Sequence, residues 1–220
     1  MHRINKAEED IQRFNTWAKS KHLRRWVDDF SGPRAPYNQA YKLIRANIVN
    51  KEQKGLSAYT EKPLGQNIHI DHFRNRDIYP NLMFDYANML VDDRNDNYGA
   101  YFKDNHSGVK KDIFDGKERI FCPVTENMAD FITFMFNGEM IAKLGLSEIY
   151  TARVNETIRV FNLNHKTLKD IRRNIINLVI EYRKMGLDND EVKCYVETMG
   201  YPSVVAWALS IPLEIGENEI

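Results

Sequence analysis

The chain has 220 residues, 31 Lys/Arg balanced by 31 Asp/Glu, 43% hydrophobic residues and two cysteines. That length suffices for one good hydrophobic core, or for a small module inside a helical scaffold. The charge balance excludes a globally basic nucleic-acid binder. Cys122 and Cys194, with no close-spaced partner, exclude a disulfide framework and a cysteine-built zinc knuckle; both read as small buried apolar groups.

In chain order, residues 3–52 read as helical. Ile4, Ala7, Ile11, Phe14 and Ala18 recur at helical spacing, and Trp17, Leu23, Trp26 and Val27 extend the apolar surface. The run Ser31–Pro36 breaks the pattern, and Tyr37, Tyr41, Ile44 and Ile48 mark a second helix. Residues 53–120 are rich in Asn, Asp, Gly and His and lack a long helical period. Within them Ile68–Phe73 reads as a short strand or strand end, and 92–99 as a polar loop. So many polar groups in a folded segment point to a site. Past Pro123, residues 131–136 read as a buried strand with a turn at Asn137-Gly138. Residues 147–161 read as a helix. Another helix carries Leu168, Ile171, Ile175, Leu178, Tyr182 and Met185, closed by Gly186 at C′. Short helices at 189–199 and 203–210 follow, with Ser203 as a cap.

Charge is uneven along the chain: residues 1–55 carry 12 Lys/Arg against 6 Asp/Glu, residues 181–220 carry 3 against 8. The front half is thus suited to a phosphate backbone, the tail to solvent or a protein partner. Residues 1–10 are polar and quickly acidic, wrong for a secretory signal, and no apolar run approaches the roughly 20 residues of a membrane span. A soluble, cytoplasmic protein is the expectation.

The chemistry concentrates at His69, Asp71 and His72. Imidazole and carboxylate suit a hard or borderline divalent cation. Phosphodiester hydrolysis uses such a cation against the substrate's negative charge, and a histidine as the base that takes a proton from water. A packed polar network would use the same residues.

The runs Ile68–Arg74, Tyr79–Leu82, Phe84–Tyr86 and Asn88–Leu90, followed by Lys103–Asn105, Gly138–Met140 and Glu156–Asn164, resemble the HNH nuclease core of Septu-type and retron-associated endonucleases over roughly residues 55–175. The resemblance implies an α+β fold, a mainly helical scaffold around a ββα-metal module. It gives a helical segment 1–52, the HNH-like module 53–120 and a mostly helical segment 121–220 within one compact domain. It implies His72 as general base, Asp71 as ligand of one Mg²⁺ or Mn²⁺, and Asn88 as the asparagine that pins the loop and orients the base. Asn97 fits the spacing of the second ligand, with Asn105 and His106 as alternatives, and His69 supports the site or binds the ion. Arg74, Lys103 and His106 are candidates for phosphate contacts. The implied partners are double-stranded DNA and an ABC/SMC-like ATPase in anti-phage defence, in a hetero-complex or homo-oligomer, with no membrane. The chain has no P-loop of its own.

The departures from the pattern matter. Ser57 and Thr60, then Asp93 and Tyr98, stand where relatives place two cysteine pairs, so no structural zinc is expected. The loop is instead expected to be held by Tyr59, Phe84, Tyr86 and Tyr98, and Asn75 replaces the proline after Arg74. Two functions follow: a zinc-free, metal-dependent DNA endonuclease, or a catalytically inactive adaptor that binds an ATPase or DNA.

Overall fold

The computed structural model describes residues 1–213. Over the described residues the fold is α+β, dominated by helices, with two small antiparallel sheets of two strands each. The first helix, α1 (Glu8–Ser20), starts later than the apolar stripe predicts. Its first turn holds Glu8, Glu9 and Asp10, which complement the positive end of the helix dipole. Ile4 lies before it, buried, its N–H donating to the Pro123 carbonyl at 2.7 Å. A π-helical turn at Trp26–Ser31 swings Trp26 and Phe30 inward, while Val27 is left exposed. The second helix, α2 (Asn38–Asn47), runs into another π turn at Ile48–Glu52. Phe14, Ala18, Trp26, Phe30 and Ile48 form an aromatic-rich N-terminal core.

The first hairpin joins β1 (Ile68–His72) to β2 (Met89–Asp93), with His69 opposite Asp92, Asp71 opposite Leu90 and His72 opposite Met89. Because side chains alternate along a strand, Ile70, Met89 and Val91 enter the N-terminal core while Leu90 joins the larger C-terminal one. The hairpin is the partition between the two cores. Helix α3 (Gly99–His106) follows and packs on β2, giving the chain order ββα. Asp92 and Asp93 belong to β2 rather than to the predicted polar loop. Their carboxylates accept N–H groups from Ala100 at 2.7 Å and Gly65 at 2.9 Å, so the acidic pair is satisfied in place.

After α4 (Asp112–Asp115) the chain forms β3 (Ile132–Phe134) and β4 (Met140–Ala142), then α5 (Glu148–Phe161), α6 (Lys166–Lys184), α7 (Asn189–Val196) and α8 (Pro202–Ser210). The strand expected at 131–136 is β3. Gly138 takes φ +80° in the turn, where a Cβ would lie 2.0 Å from the Lys169 carbonyl. Helix α6 buries Leu168, Ile175 and Val179 and closes at Met185, with Gly186 following at φ +90°. Ser203 does not cap α8. The cap residue is Tyr201, and the Ser203 hydroxyl and N–H both donate to Glu61. The cysteine expectation also needs correction: Cys194 is exposed and Cys122 only half-buried.

Glu61 ties distant parts of the chain together. Its buried carboxylate receives the Met1 amino group at 2.8 Å as well as Ser203, and its carbonyl receives the Tyr201 N–H. Among the described residues no helix is long and apolar enough to cross a membrane.

Candidate active site on the first hairpin

The site begins with the alternation Ile68-His-Ile-Asp-His72. His69 and Asp71 face α3, and His72 faces the N-terminal core at the end of the strand. Both central residues are nearly enclosed, Asp71 at 2% and His72 at 5% exposure. Both still line one cleft of about 340 Å³, with His69, Asn75, Arg76, Asp77, Arg94, Tyr101, Asp104 and Asn105. Larger grooves with mainly apolar walls lie elsewhere, about 410 Å³ between α1 and α2 and about 640 Å³ beside α7 and α8. The chemistry-bearing side chains are in the smaller, polar cleft.

His72 is held on two sides. Its Nε2 lies 2.9 Å from the Met83 carbonyl, and its ring packs edge-on against Trp26 at 4.4 Å. Nε2 therefore carries the proton and Nδ1 is left as the acceptor. Burial pushes the imidazole down to about 4, against the Met83 hydrogen bond and the Asp71 charge, so the ring is neutral at pH 7.

The connection 73–88 owes its shape to three short polar residues. Asn75 makes an Asx turn, its Oδ1 accepting the Asp77 N–H at 2.8 Å. Asp85 accepts the Ala87 N–H and starts the short turn Tyr86–Asn88. The Asn88 Oδ1 accepts the Arg74 N–H at 2.8 Å, and its Nδ2 donates to the carbonyls of Arg74 at 3.0 Å and Leu82 at 3.3 Å. Asn88 thus pins both ends of the loop that follows His72.

Asp71 meets Lys103 of α3. The Lys103 ammonium, wholly buried, lies 3.1 and 3.2 Å from the two Asp71 oxygens and donates to the carbonyls of His72 at 2.8 Å and Phe73 at 3.2 Å. The Tyr59 hydroxyl donates to Asp71 Oδ2. Burial, the largest influence, opposes ionisation of Asp71, but the Lys103 ammonium together with His69, the Tyr59 hydrogen bond and His72 holds the carboxyl below its ordinary range. Burial likewise opposes the Lys103 charge, and Asp71 and Asp104 together more than restore it.

Asp92 caps α3 from β2 through the Ala100 N–H, and burial pushes its carboxyl up to about 7. Gly99, at φ +80°, is required there, because a Cβ would stand 2.4 Å from Asp92 Oδ2. Opposite it, His69 Nδ1 is buried without a hydrogen-bond partner.

Several expected site residues lie elsewhere. Asn97 is exposed before α3, outside the cleft, with its carbonyl accepting from Asn162 at 2.7 Å. Asn105 lines the cleft, but its Nδ2 is turned back to the Tyr101 carbonyl at 2.8 Å. His106 is 48% exposed beside Asp96 and outside the cleft. Lys103 is no surface phosphate contact, being 0% exposed and committed to Asp71. Arg74 pairs with Asp115 and covers the Tyr79 ring, also away from the cleft. The residues that reasoning missed are Arg76 and Arg94, cleft-lining guanidiniums in no ion pair among the described residues, and Asp104, 3.3 Å from Lys103. No spacing in the sequence marks them.

At the knuckle positions, Ser57 Oγ accepts the N–H groups of Tyr59 and Thr60 at 3.3 and 3.0 Å, forming a tight turn. Asp93 binds Lys62 and Gly65, and Tyr98 is buried near His165. Tyr59 stacks on Phe161 at 4.2 Å. The Gln53 side chain pairs with Val91 like an extra strand, donating to its carbonyl and accepting its N–H, each at 2.8 Å. Phe84 and Tyr86, expected to hold this loop, pack instead on the N-terminal core.

The implied cation finds a poor donor set. The α3 residues buried toward the hairpin are Gly99, Ala100 and Lys103, none of which is a metal ligand. Asp71 is already neutralised, and among the described residues no three His, Cys, Asp or Glu side chains converge. The residues present do not fit a divalent ion between β1 and α3. A scan against protein-family models found no match, and no curated protein matched the sequence.

Proposed function

We propose that this chain is an HNH-type DNA endonuclease acting in anti-phage defence beside a partner ATPase. The observation that carries the reading is His72 at the end of β1 in a ββα unit. Its Nε2 is fixed to a backbone carbonyl, Nδ1 is left as proton acceptor, and Asn88 locks the loop behind it. In that arrangement Arg76 and Arg94 hold the phosphodiester at the cleft, where guanidinium forks suit phosphate oxygens. The neutral imidazole takes a proton from the attacking water. Positive charge near the reacting phosphate comes from these side chains, and no step is assigned to an ion the donor set does not fit. The defence context and the ATPase rest on the resemblance alone.

The specific observation favouring a second reading, an inactive adaptor that binds DNA or the ATPase, is the closed Lys103–Asp71 pair. Incubation of supercoiled plasmid with the chain and its partner, wild type against His72→Ala, separates the two. Nicking by wild type alone supports the endonuclease. Equal inertness with equal DNA retention in a gel-shift assay supports the adaptor and removes the catalytic reading.

A further inference from the structure

We propose that Lys103 stands in for the divalent cation of this ββα centre, with Asp71 as its counter-ion, so that no metal ion binds between β1 and α3. The inference rests on the HNH-type reading of the hairpin. Its basis is the shell around the ammonium: five oxygens lie within 3.3 Å of Nζ, two from Asp71, one from Asp104 and the backbone carbonyls of His72 and Phe73. Such an all-oxygen shell, carboxylates plus carbonyls, is what a hard cation collects. Here it is drawn to the length of N–H···O bonds, and its centre is a side chain with 0% exposure. The Tyr59 hydroxyl donates to a further acceptor site of Asp71. From the helix side, one turn before Lys103, come Gly99 and Ala100, neither with a side chain that binds a metal.

Lys103 has a second task. The ammonium that neutralises Asp71 also holds the two carbonyls where β1 enters the loop, so it fixes the backbone that carries the His72 imidazole. Lys103 is a positioning residue, touching neither water nor phosphate. A cation could enter only by expelling this ammonium, at the cost of leaving a charged amine without its counter-ion in the interior.

The test uses the full chain and Mn²⁺. In wild type, titration followed by the electron paramagnetic resonance of free Mn²⁺ should show no saturable site that Asp71→Asn removes, and the His72 ring resonances should not broaden selectively. Lys103→His, which exchanges the ammonium for a metal ligand beside Asp71, should gain a saturable site, and Asp71→Asn in that background should abolish it. Selective broadening of His72 in wild type, or a wild-type site lost in Asp71→Asn, would overturn the proposal. So would a folded Lys103→His that binds no ion. If Lys103→His does not fold, the wild-type titration alone decides. The outcomes separate this proposal from the nuclease reading. A protein that cuts no DNA and binds no Mn²⁺ loses only the nuclease, whereas one that cuts DNA with Mn²⁺ held at Asp71 loses only the Lys103 assignment.

Discussion

Replacing Lys103 by Met keeps the length of the side chain and removes its charge. Both members of the pair are almost fully enclosed, the side chains at 0% and 1% exposure, so solvent screening does little to blunt the loss. Asp71 would retain only the Tyr59 hydroxyl, and the carbonyls of His72 and Phe73 would lose a donor. Breaking a buried pair from one side costs about 3–5 kcal/mol, because an uncompensated charge stays behind. For a chain of this size that is a fall in Tm of roughly 6–20 °C. Adding Asp71→Asn removes the orphaned charge, so the double variant should lose less than the two single losses added together, by about 2–3 kcal/mol. The pH dependence should change sign as well. In wild type the Asp71 carboxyl is depressed, so its contribution is present above its ordinary 3.8 and is lost as pH falls. In Lys103→Met the same burial without the ammonium raises it, so stability should fall as pH rises from acid to neutral. Urea titrations of the four proteins at pH 3, pH 5 and pH 8 measure both effects. Additive losses, or a Lys103→Met cost below about 1 kcal/mol, the range of exposed ion pairs, would refute the reasoning.

Four further outcomes follow from the geometry. Asn88→Ala removes three hydrogen bonds and should cost about 1–3 kcal/mol, with faster amide exchange across residues 74–86; unchanged exchange would show that the loop is held by other contacts. Asp92, raised by burial to about 7 from an ordinary 3.8, withdraws stability as pH rises through that interval. Asp92→Asn should therefore stabilise at pH 8, by at most roughly 4 kcal/mol, and not at pH 4; an equal effect at both would exclude burial as the cause. Gly138→Ala forces a Cβ against the Lys169 carbonyl at φ +80° and should cost roughly 2–5 kcal/mol in thermal unfolding, and a neutral result would contradict that close approach. Joint replacement of Arg76 and Arg94 by Ala should weaken DNA binding and flatten the dependence of log K on log salt by about 2; weaker binding at an unchanged slope would mean the two do not meet phosphates.

What could be read in the sequence was local. The Ile-His-Ile-Asp-His alternation marks β1, the apolar stripe of α6 marks a helix, and Asn137-Gly138 marks the turn between β3 and β4. The importance of Asn88 and of 156–164 was legible only through the resemblance. The structure gives that stretch a physical role: Phe161 stacks on Tyr59, Asn162 holds the Asn97 carbonyl and Asn164 brackets both backbone groups of Met140. The fate of Lys103 was not legible. A lysine on an eight-residue helix reads as solvent-exposed, and only the fold brings it to a carboxylate 32 residues earlier. Gln53 escaped notice for the same reason, since its imitation of a strand is visible only once β2 lies beside it. Trp26 and Phe30, four residues apart, share the buried face of the π turn, while Val27, counted in the apolar surface, is exposed.

The charge arrangement decides what the cleft attracts. Asp71 and Lys103 cancel, Asp104 borders the same ammonium, and His72 is neutral at pH 7. Of the other charged groups at the cleft, Arg76 and Arg94 stand with the carboxylates of Asp77 and Asp104. A phosphodiester entering there meets guanidiniums without counter-ions. A divalent cation would find Asp71 already matched by Lys103. By pairing with Asp71, Lys103 removes one carboxylate that would repel phosphate, which is what the proposed phosphodiester contact at Arg76 and Arg94 requires.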